Sequence, residues 1–253
     1  MSSIGTGYDL AASTFSPDGR IFQVEYAQKT VDNGGTVIGI CGIDGVVLAA
    51  EKILPNKLAL DTVNPRMVNV SPNIGIAIAG YYPDGKHLAR YARDEAEDYF
   101  DEHRLAPPLK QLVKPLANYV HQYTLSILRP MATAIILADY TQLNGPSLWM
   151  VEPSGQAYQY RGWALGKHRQ AAKTELEKQK AGELSLDQLV DLAAQIIYTV
   201  REEGKDKNWK LEMAWVGAKT RGLFQNVPED RIAAAIEKAK ATLDEDDQDE
   251  PMQ

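Results

Sequence analysis

Lys167, His168, Arg169 and Lys173 crowd the start of one predicted helix. Such a group could hold a phosphate, but no P-loop accompanies it, and a solvated face or a contact with another subunit is the favoured reading. His87, His103, His121 and His168 are scattered, each without a second ligand at metal spacing, which argues against a zinc site. Gly39, Gly42 and Gly45 do not make the dinucleotide fingerprint, so neither metal nor cofactor is expected. A net charge of −7 argues against a general nucleic-acid binder. The one cysteine, Cys41, has no partner for an internal disulfide. Met1–Leu10 shows no signal-peptide pattern, and no apolar run approaches membrane-spanning length. A reducing intracellular compartment and no membrane partner are the expectations.

The elements that must position these groups follow from the apolar spacing. Residues 1–15 are small and polar, with Gly5 and Gly7 close together, and read as a mobile arm. Ser16-Pro17-Asp18 reads as a helix start, with a short helix from about Pro17 to Val31 and Gly34-Gly35 ending it. Thr36–Ile40 and Val46–Ala50 make a predicted hairpin around Asp44-Gly45, and Met67–Val70 and Ile74–Ala79 make a second pair. These runs are apolar at nearly every position, as in strands covered on both faces. One helix starts near Asp84, and a second carries Leu109, Leu112, Val113, Leu116, Val120 and Ile127 before Arg129-Pro130 stops it.

Strands return at Thr133–Ala138, Ser147–Val151 and Ala157–Tyr160. Helices follow over about Lys167–Lys180 and from Ser185, which has capping-box spacing to Gln188. A late strand, Leu211–Val216, puts Leu211, Met213 and Trp215 on one face, and Pro228 opens a last helix. Asp244–Glu250 holds six acids in seven residues and reads as a solvated, disordered tail, with docking as the alternative; Thr242 before it is a phosphorylation candidate. The order of strands, helix pair, strands, helix pair, strand and helix suits two stacked sheets between helical layers, an α+β fold. The division expected is 1–15 arm, 16–243 domain and 244–253 tail.

The run Phe15-Ser16-Pro17-Asp18-Gly19-Arg20-Ile21-Phe22-Gln23-Val24-Glu25-Tyr26-Ala27 resembles the N-terminal signature of 20S proteasome α subunits. The resemblance continues through Gly34-Gly35-Thr36, Asp44–Lys52, Ile78-Ala79-Gly80, Gly166-Lys167 and Gln170–Glu175, and ends near Leu243. Within the family, Gly5–Leu10 and the acidic tail most resemble the eukaryotic member that fills the seventh α position; most α subunits have arginine where this chain has Leu10. The resemblance implies an αββα sandwich of the N-terminal-nucleophile hydrolase type and a non-catalytic place in a seven-membered outer α ring. It also implies β-ring partners, regulatory particles on the outer surface, N-terminal arms that close an axial pore, and work in ubiquitin-dependent and ubiquitin-independent protein degradation in cytoplasm and nucleus.

Catalytic members of this fold free a threonine after a glycine, so Gly35-Thr36 raises the alternative of a threonine-nucleophile hydrolase active after cleavage before Thr36. Three features oppose it: Thr36 is internal, the helix before it reads as part of the domain, and Glu51 and Arg66 stand where aspartate and lysine are expected. The plain reading is that Thr36 is a β-branched strand residue. By the resemblance, Tyr8, Asp9, Pro17 and Tyr26 match the cluster that holds the open arrangement of the arms. A tyrosine hydroxyl can donate to a carboxylate, and proline fixes a reverse turn. The plain alternative is a helix-surface Tyr26 and a solvated Asp9. Gly34, Arg66 and Tyr81 fall where the family builds a pocket for regulator C-termini; many members have lysine at the Arg66 position, and a strand-end arginine is the competing reading.

Overall fold

The structure, a computed structural model, describes residues 7–201 and 208–249, with the side chains of 244–249 left aside. Gly5 and residues 250–253 of the expected arm and tail lie outside the described residues. Ser16 closes a turn: its carbonyl accepts from Gly19 N–H at 2.9 Å and its hydroxyl from Arg20 N–H at 3.1 Å. Helix α1 therefore begins at Phe22, not at Pro17, and spans Phe22–Asp32. Pro17 sets the turn that precedes it. Ala12 is buried, so close packing begins before residue 15.

Strands β1 (Val37–Cys41) and β2 (Gly45–Ile53) form the hairpin expected around Asp44-Gly45, with Val37 opposite Ala50 and Cys41 opposite Val46. Strands β3 (Met67–Asn69) and β4 (Ile74–Gly80) form the second pair. Helices α2 (Tyr82–His103) and α3 (Leu109–Thr124) follow. Helix α3 stops at Thr124, short of Arg129: the Thr124 hydroxyl turns back to the His121 carbonyl at 2.7 Å, and Ile127 is fully exposed. Strands β5 (Thr133–Thr141), β6 (Gly145–Val151) and β7 (Ala157–Tyr160) complete one sheet. Strand β8 (Gly162–Leu165) was not anticipated and crosses to the other sheet beside β1.

Helix α4 spans Arg169–Lys178 and α5 spans Leu186–Val200. At the start of α5 the Gln188 side chain accepts from Ser185 N–H at 2.9 Å, the return half of the expected capping box. Strands β9 (Trp209–Gly217) and β10 (Gln225–Asn226) precede α6 (Glu229–Asp249). Helix α6 runs past Leu243, so residues 244–249 are helical and not the unstructured tail expected there.

The two five-stranded antiparallel sheets run β10-β9-β2-β1-β8 and β3-β4-β5-β6-β7. Period-two alternation splits each strand between two apolar environments. Val46, Leu48 and Ala50 of β2 face the other sheet, while Val47 and Ala49 face α5 and α6. In β4 the small Ala77 and Ala79 line the space between sheets, and Ile74, Ile76 and Ile78 pack under α2 and α3. That is why the strands read as apolar at nearly every position: both faces are covered. Leu211, Met213 and Trp215 share the helix-facing side of β9, as their spacing predicted. The layers are helices, sheet, sheet, helices: an αββα sandwich. Helix α1 lies across one end, its Val31 entering the space between the sheets.

Candidate functional site

The start of β1 is where a nucleophile would have to stand. Thr36 is only 1% exposed, and its backbone N–H is a chain amide that donates to Glu51 Oε2 at 3.2 Å. Its hydroxyl lies 3.2 Å from His168 Nδ1, just before α4. Glu51 is 4% exposed and paired with Arg201, whose Nε lies 3.3 Å from Oε1. A Cβ on Gly35 would stand 2.2 Å from the Glu51 carbonyl oxygen, and one on Gly166 would stand 2.4 Å from the Gly35 carbonyl oxygen. The chain on both sides of Thr36 is thus packed backbone to backbone. An N-terminal threonine needs a free amine and an approach for substrate, and here it has neither.

Glu51 stands beside Thr36 as expected, but Arg66 does not serve that site. Its guanidinium donates from Nη1 to the Gly80 carbonyl at 3.0 Å and lies 5.6 Å from the centroid of the Tyr82 ring. Burial pulls this guanidinium below its ordinary pKa, with Glu212 opposing. The cation at Glu51 is Arg201, at the end of α5, which the sequence reading missed. Lys52, the neighbour of Glu51, is committed elsewhere: its ammonium donates to Glu212 at 2.7 Å and to the Asp61 carbonyl at 2.6 Å.

Around Gly80 the structure does gather Gly34, Arg66 and Tyr81. A Cβ on Gly34 would meet Gly80 N at 3.2 Å, and Arg66 holds the Gly80 carbonyl. Gly80 itself has φ +84°, a left-handed backbone that suits glycine and lets the chain turn from β4 into α2. The Tyr81 ring is 48% exposed, with Arg129 over it at 5.6 Å.

At the arm, the Tyr26 hydroxyl donates to Asp9 Oδ2 at 3.3 Å. Partial burial, followed by the Asp9 charge, pushes the Tyr26 phenol above its usual pKa, so it stays a donor. Tyr8 and Pro17 remain exposed, and neither hydrogen-bonds Tyr26 among the described residues. Two contacts went unread in the sequence. The Gln23 amide donates to the Asp9 carbonyl, and Arg20 clasps Glu25, Nε to Oε1 at 2.7 Å. Gln23 and Tyr26 share one face of α1 at i, i+3 spacing, and that periodicity was the available signal. His168, grouped above with the basic cluster, is the other missed residue.

The comparisons with known proteins agree with this geometry. The family described as proteasome subunit matches residues 31–216, and the N-terminal signature of A-type proteasome subunits matches residues 8–29. The alpha type-3 proteasome subunit of Arabidopsis thaliana is 46% identical over 98% of this chain and 100% of its own length. The alpha type-3 proteasome subunit of Drosophila melanogaster is 47% identical over 98% of each chain. The probable alpha type-7 proteasome subunit of Schizosaccharomyces pombe is 43% identical over the full length of both.

The chain belongs to the proteasome subunit family and carries its α-type signature. It is a structural subunit of the outer ring of the 20S core and not one of the cutting subunits, in keeping with a Thr36 that is walled in. The alternative of a threonine-nucleophile hydrolase is set aside.

Proposed function

We propose that this α-type subunit takes one place in a seven-membered outer ring, stacks on a β ring, and gates substrate entry with its N-terminal arm. The observation that carries the reading is the Tyr26–Asp9 hydrogen bond. It ties the arm to a rigid helix through one exposed bond, strong enough to bias the arm and weak enough to be exchanged. Gln23 adds a second tie to the same residue. Pro17 fixes where the arm's freedom ends, and Tyr8 completes the group when the arm is displaced. Gly34, Arg66 and Tyr81 form one wall of a pocket for the C-terminal carboxylate of a regulatory particle. The Arg66 fork, one arm of which holds Gly80, can meet a carboxylate with another. The subunit works in ubiquitin-dependent and ubiquitin-independent protein degradation in cytoplasm and nucleus.

The test is deletion of residues 1–14, followed by peptide hydrolysis by the assembled particle. Basal hydrolysis should rise without a change in which bonds are cut. If basal and regulator-stimulated rates are both unchanged, the gate reading fails.

A further inference from the structure

The loop between β2 and β3 presents apolar side chains to solvent in an ordered frame. Leu58 is 93%, Leu60 69% and Val63 50% exposed. Leu58 N–H donates to the Asn56 side chain at 2.9 Å, shaping the tip. The far side of the loop is pinned at Asp61: its carbonyl accepts from Lys52 at 2.6 Å and its carboxylate from Lys210 at 2.9 Å. Lys210 also bonds Glu229 at 3.3 Å, tying the loop to α6. A pinned loop with leucines in water is prepaid for association, because little ordering remains to be done on binding.

This loop leads into β3, the terminal strand of its sheet, whose opposite terminal strand is β7. There, on the other edge of the sandwich, β7 and β8 part from α4 and leave a groove of about 1170 Å³. Its floor includes Ile40, Tyr160, Trp163 and Leu176, and exposed Glu177 and Glu183 stand on its rim together with Arg161 and Lys180. The floor is rigid: the Tyr160 and Trp163 rings stack at 3.9 Å, and the Lys173 ammonium lies 3.3 Å from the Trp163 centroid. The protruding loop carries an exposed lysine, Lys57, beside Leu58.

From this pairing we infer that the groove receives the β2–β3 loop of the neighbouring α-type chain, while this chain's own Leu58 and Leu60 enter the groove of the neighbour on the other side. A protrusion and a hollow at opposite edges of one fold make a heterologous interface, the kind that closes rings by rotation. Leucines meet the aromatic floor, and the lysine at the loop tip meets Glu177 or Glu183 on a rim of mixed charge. The inference rests on the ring reading above and adds which surfaces meet and which chemistry joins them.

The experiment places p-benzoylphenylalanine, a photo-cross-linker, in place of Leu58 in one variant and of Lys180, at the groove, in another. Assembled particles are irradiated and the linked peptides identified. Position 58 should link to one neighbouring α subunit, in its groove; position 180 should link to a different α subunit, in its β2–β3 loop. Links to a β subunit, links of both positions to the same neighbour, or no link at position 58 would overturn the loop-and-groove assignment while leaving the ring reading standing. A chain that never co-purifies with other α subunits would overturn both. Leu58→Asp should independently lower the share of the chain recovered in particles by on the order of tenfold, with the soluble chain still folded by circular dichroism. Unchanged incorporation would count against the inference.

Discussion

The amide of Thr36 donates to Glu51 Oε2 at 3.2 Å, so the nitrogen that would have to be a free amine in a threonine hydrolase is a peptide N–H satisfying a buried carboxylate. Glu51 in turn pairs with Arg201 and ties the start of β1 to the end of α5. The position that chemistry would occupy in a cutting relative is a structural joint in this chain.

Thr36→Ala should therefore leave the peptide hydrolysis of the assembled particle unchanged. It removes a hydroxyl facing His168, at a cost of about 1 kcal/mol in stability. Intact-mass measurement of the subunit from particles should show residues that precede Thr36 still attached. A mature N-terminus at Thr36, together with lost turnover in the variant, would be the contrary result.

Gly75→Ala tests the closeness of the two sheets. A Cβ at Gly75 would lie 2.1 Å from the Phe224 ring. Phe224 is buried between the sheets, held there by its own N–H to the Pro72 carbonyl at 2.8 Å. The ring cannot swing away freely, so overpacking should cost roughly 1–3 kcal/mol. The unfolding midpoint of the full chain should fall, and Phe224→Leu in the same chain should restore part of it. Equal midpoints for Gly75→Ala and the parent would show that the layers have slack.

Much of this was legible in the sequence, for local reasons. Asp44-Gly45 marks its hairpin, and strands covered on both faces announce themselves as unbroken apolar runs. What was not legible depended on distant partners. Strand β8 is four residues long and follows β7 after Arg161 alone, with no turn signal, and only β1 beside it makes it a strand. Helix α3 lost its expected last turn because Ile127 has no core to enter. Ser16 looked like a helix start because a side chain that closes a turn uses the same chemistry as one that caps a helix. At the site, Glu51 beside Thr36 followed from the family resemblance. Arg201 reaches Glu51 only because the fold brings the end of α5 there. Residue type alone could not separate Arg66 from that role.

Cys41 should resist alkylation in the folded chain. Burial pushes its thiol up to about 12, and its Sγ lies 3.9 Å from the Tyr160 carbonyl oxygen. At about pH 8 almost none is thiolate, the reactive form. Iodoacetamide should label it slowly until denaturant is added and then quickly. Fast labelling of the native chain would mean that the β1–β8 side of the sheet opens far more readily than its packing implies.

Asp84 should contribute to acid sensitivity. Burial pulls its carboxyl up, but the two-pronged Arg129 guanidinium, at 2.6 and 2.9 Å, and the Ala132 N–H, at 2.9 Å, outweigh it and hold the pKa below the usual value. A folded pKa below the unfolded one gives stability that is present above the unfolded value, near 4, and lost as pH falls through the folded one. Asp84→Asn should lower the midpoint at neutral pH and show a smaller further loss between about pH 5 and pH 2 than the parent. Parallel pH curves for the two chains would remove Asp84 from the account.

Tyr26 offers the sharpest test of the arm. Its hydroxyl reaches Asp9, its ring stacks on Phe22 with centroids 6.2 Å apart, and the Lys29 ammonium lies 5.4 Å from its centroid. Tyr26→Phe keeps the ring contacts and deletes the donor; Tyr26→Ala deletes both. An exposed hydrogen bond contributes about 0.5–1.5 kcal/mol, enough to shift a two-state arm by roughly two- to tenfold. Regulator-stimulated peptide hydrolysis should accordingly fall in Tyr26→Phe and fall further in Tyr26→Ala, because each removes support from the displaced arm. Asp9→Asn should lie between the parent and Tyr26→Phe, since an amide oxygen still accepts but carries no charge. On the gate reading the bond belongs to the displaced arm, so basal hydrolysis should not rise in any of them; a rise would mean that the bond closes the gate. Stimulated rates equal to the parent's in Tyr26→Ala would show that the contact between arm and helix carries no gating free energy in this subunit.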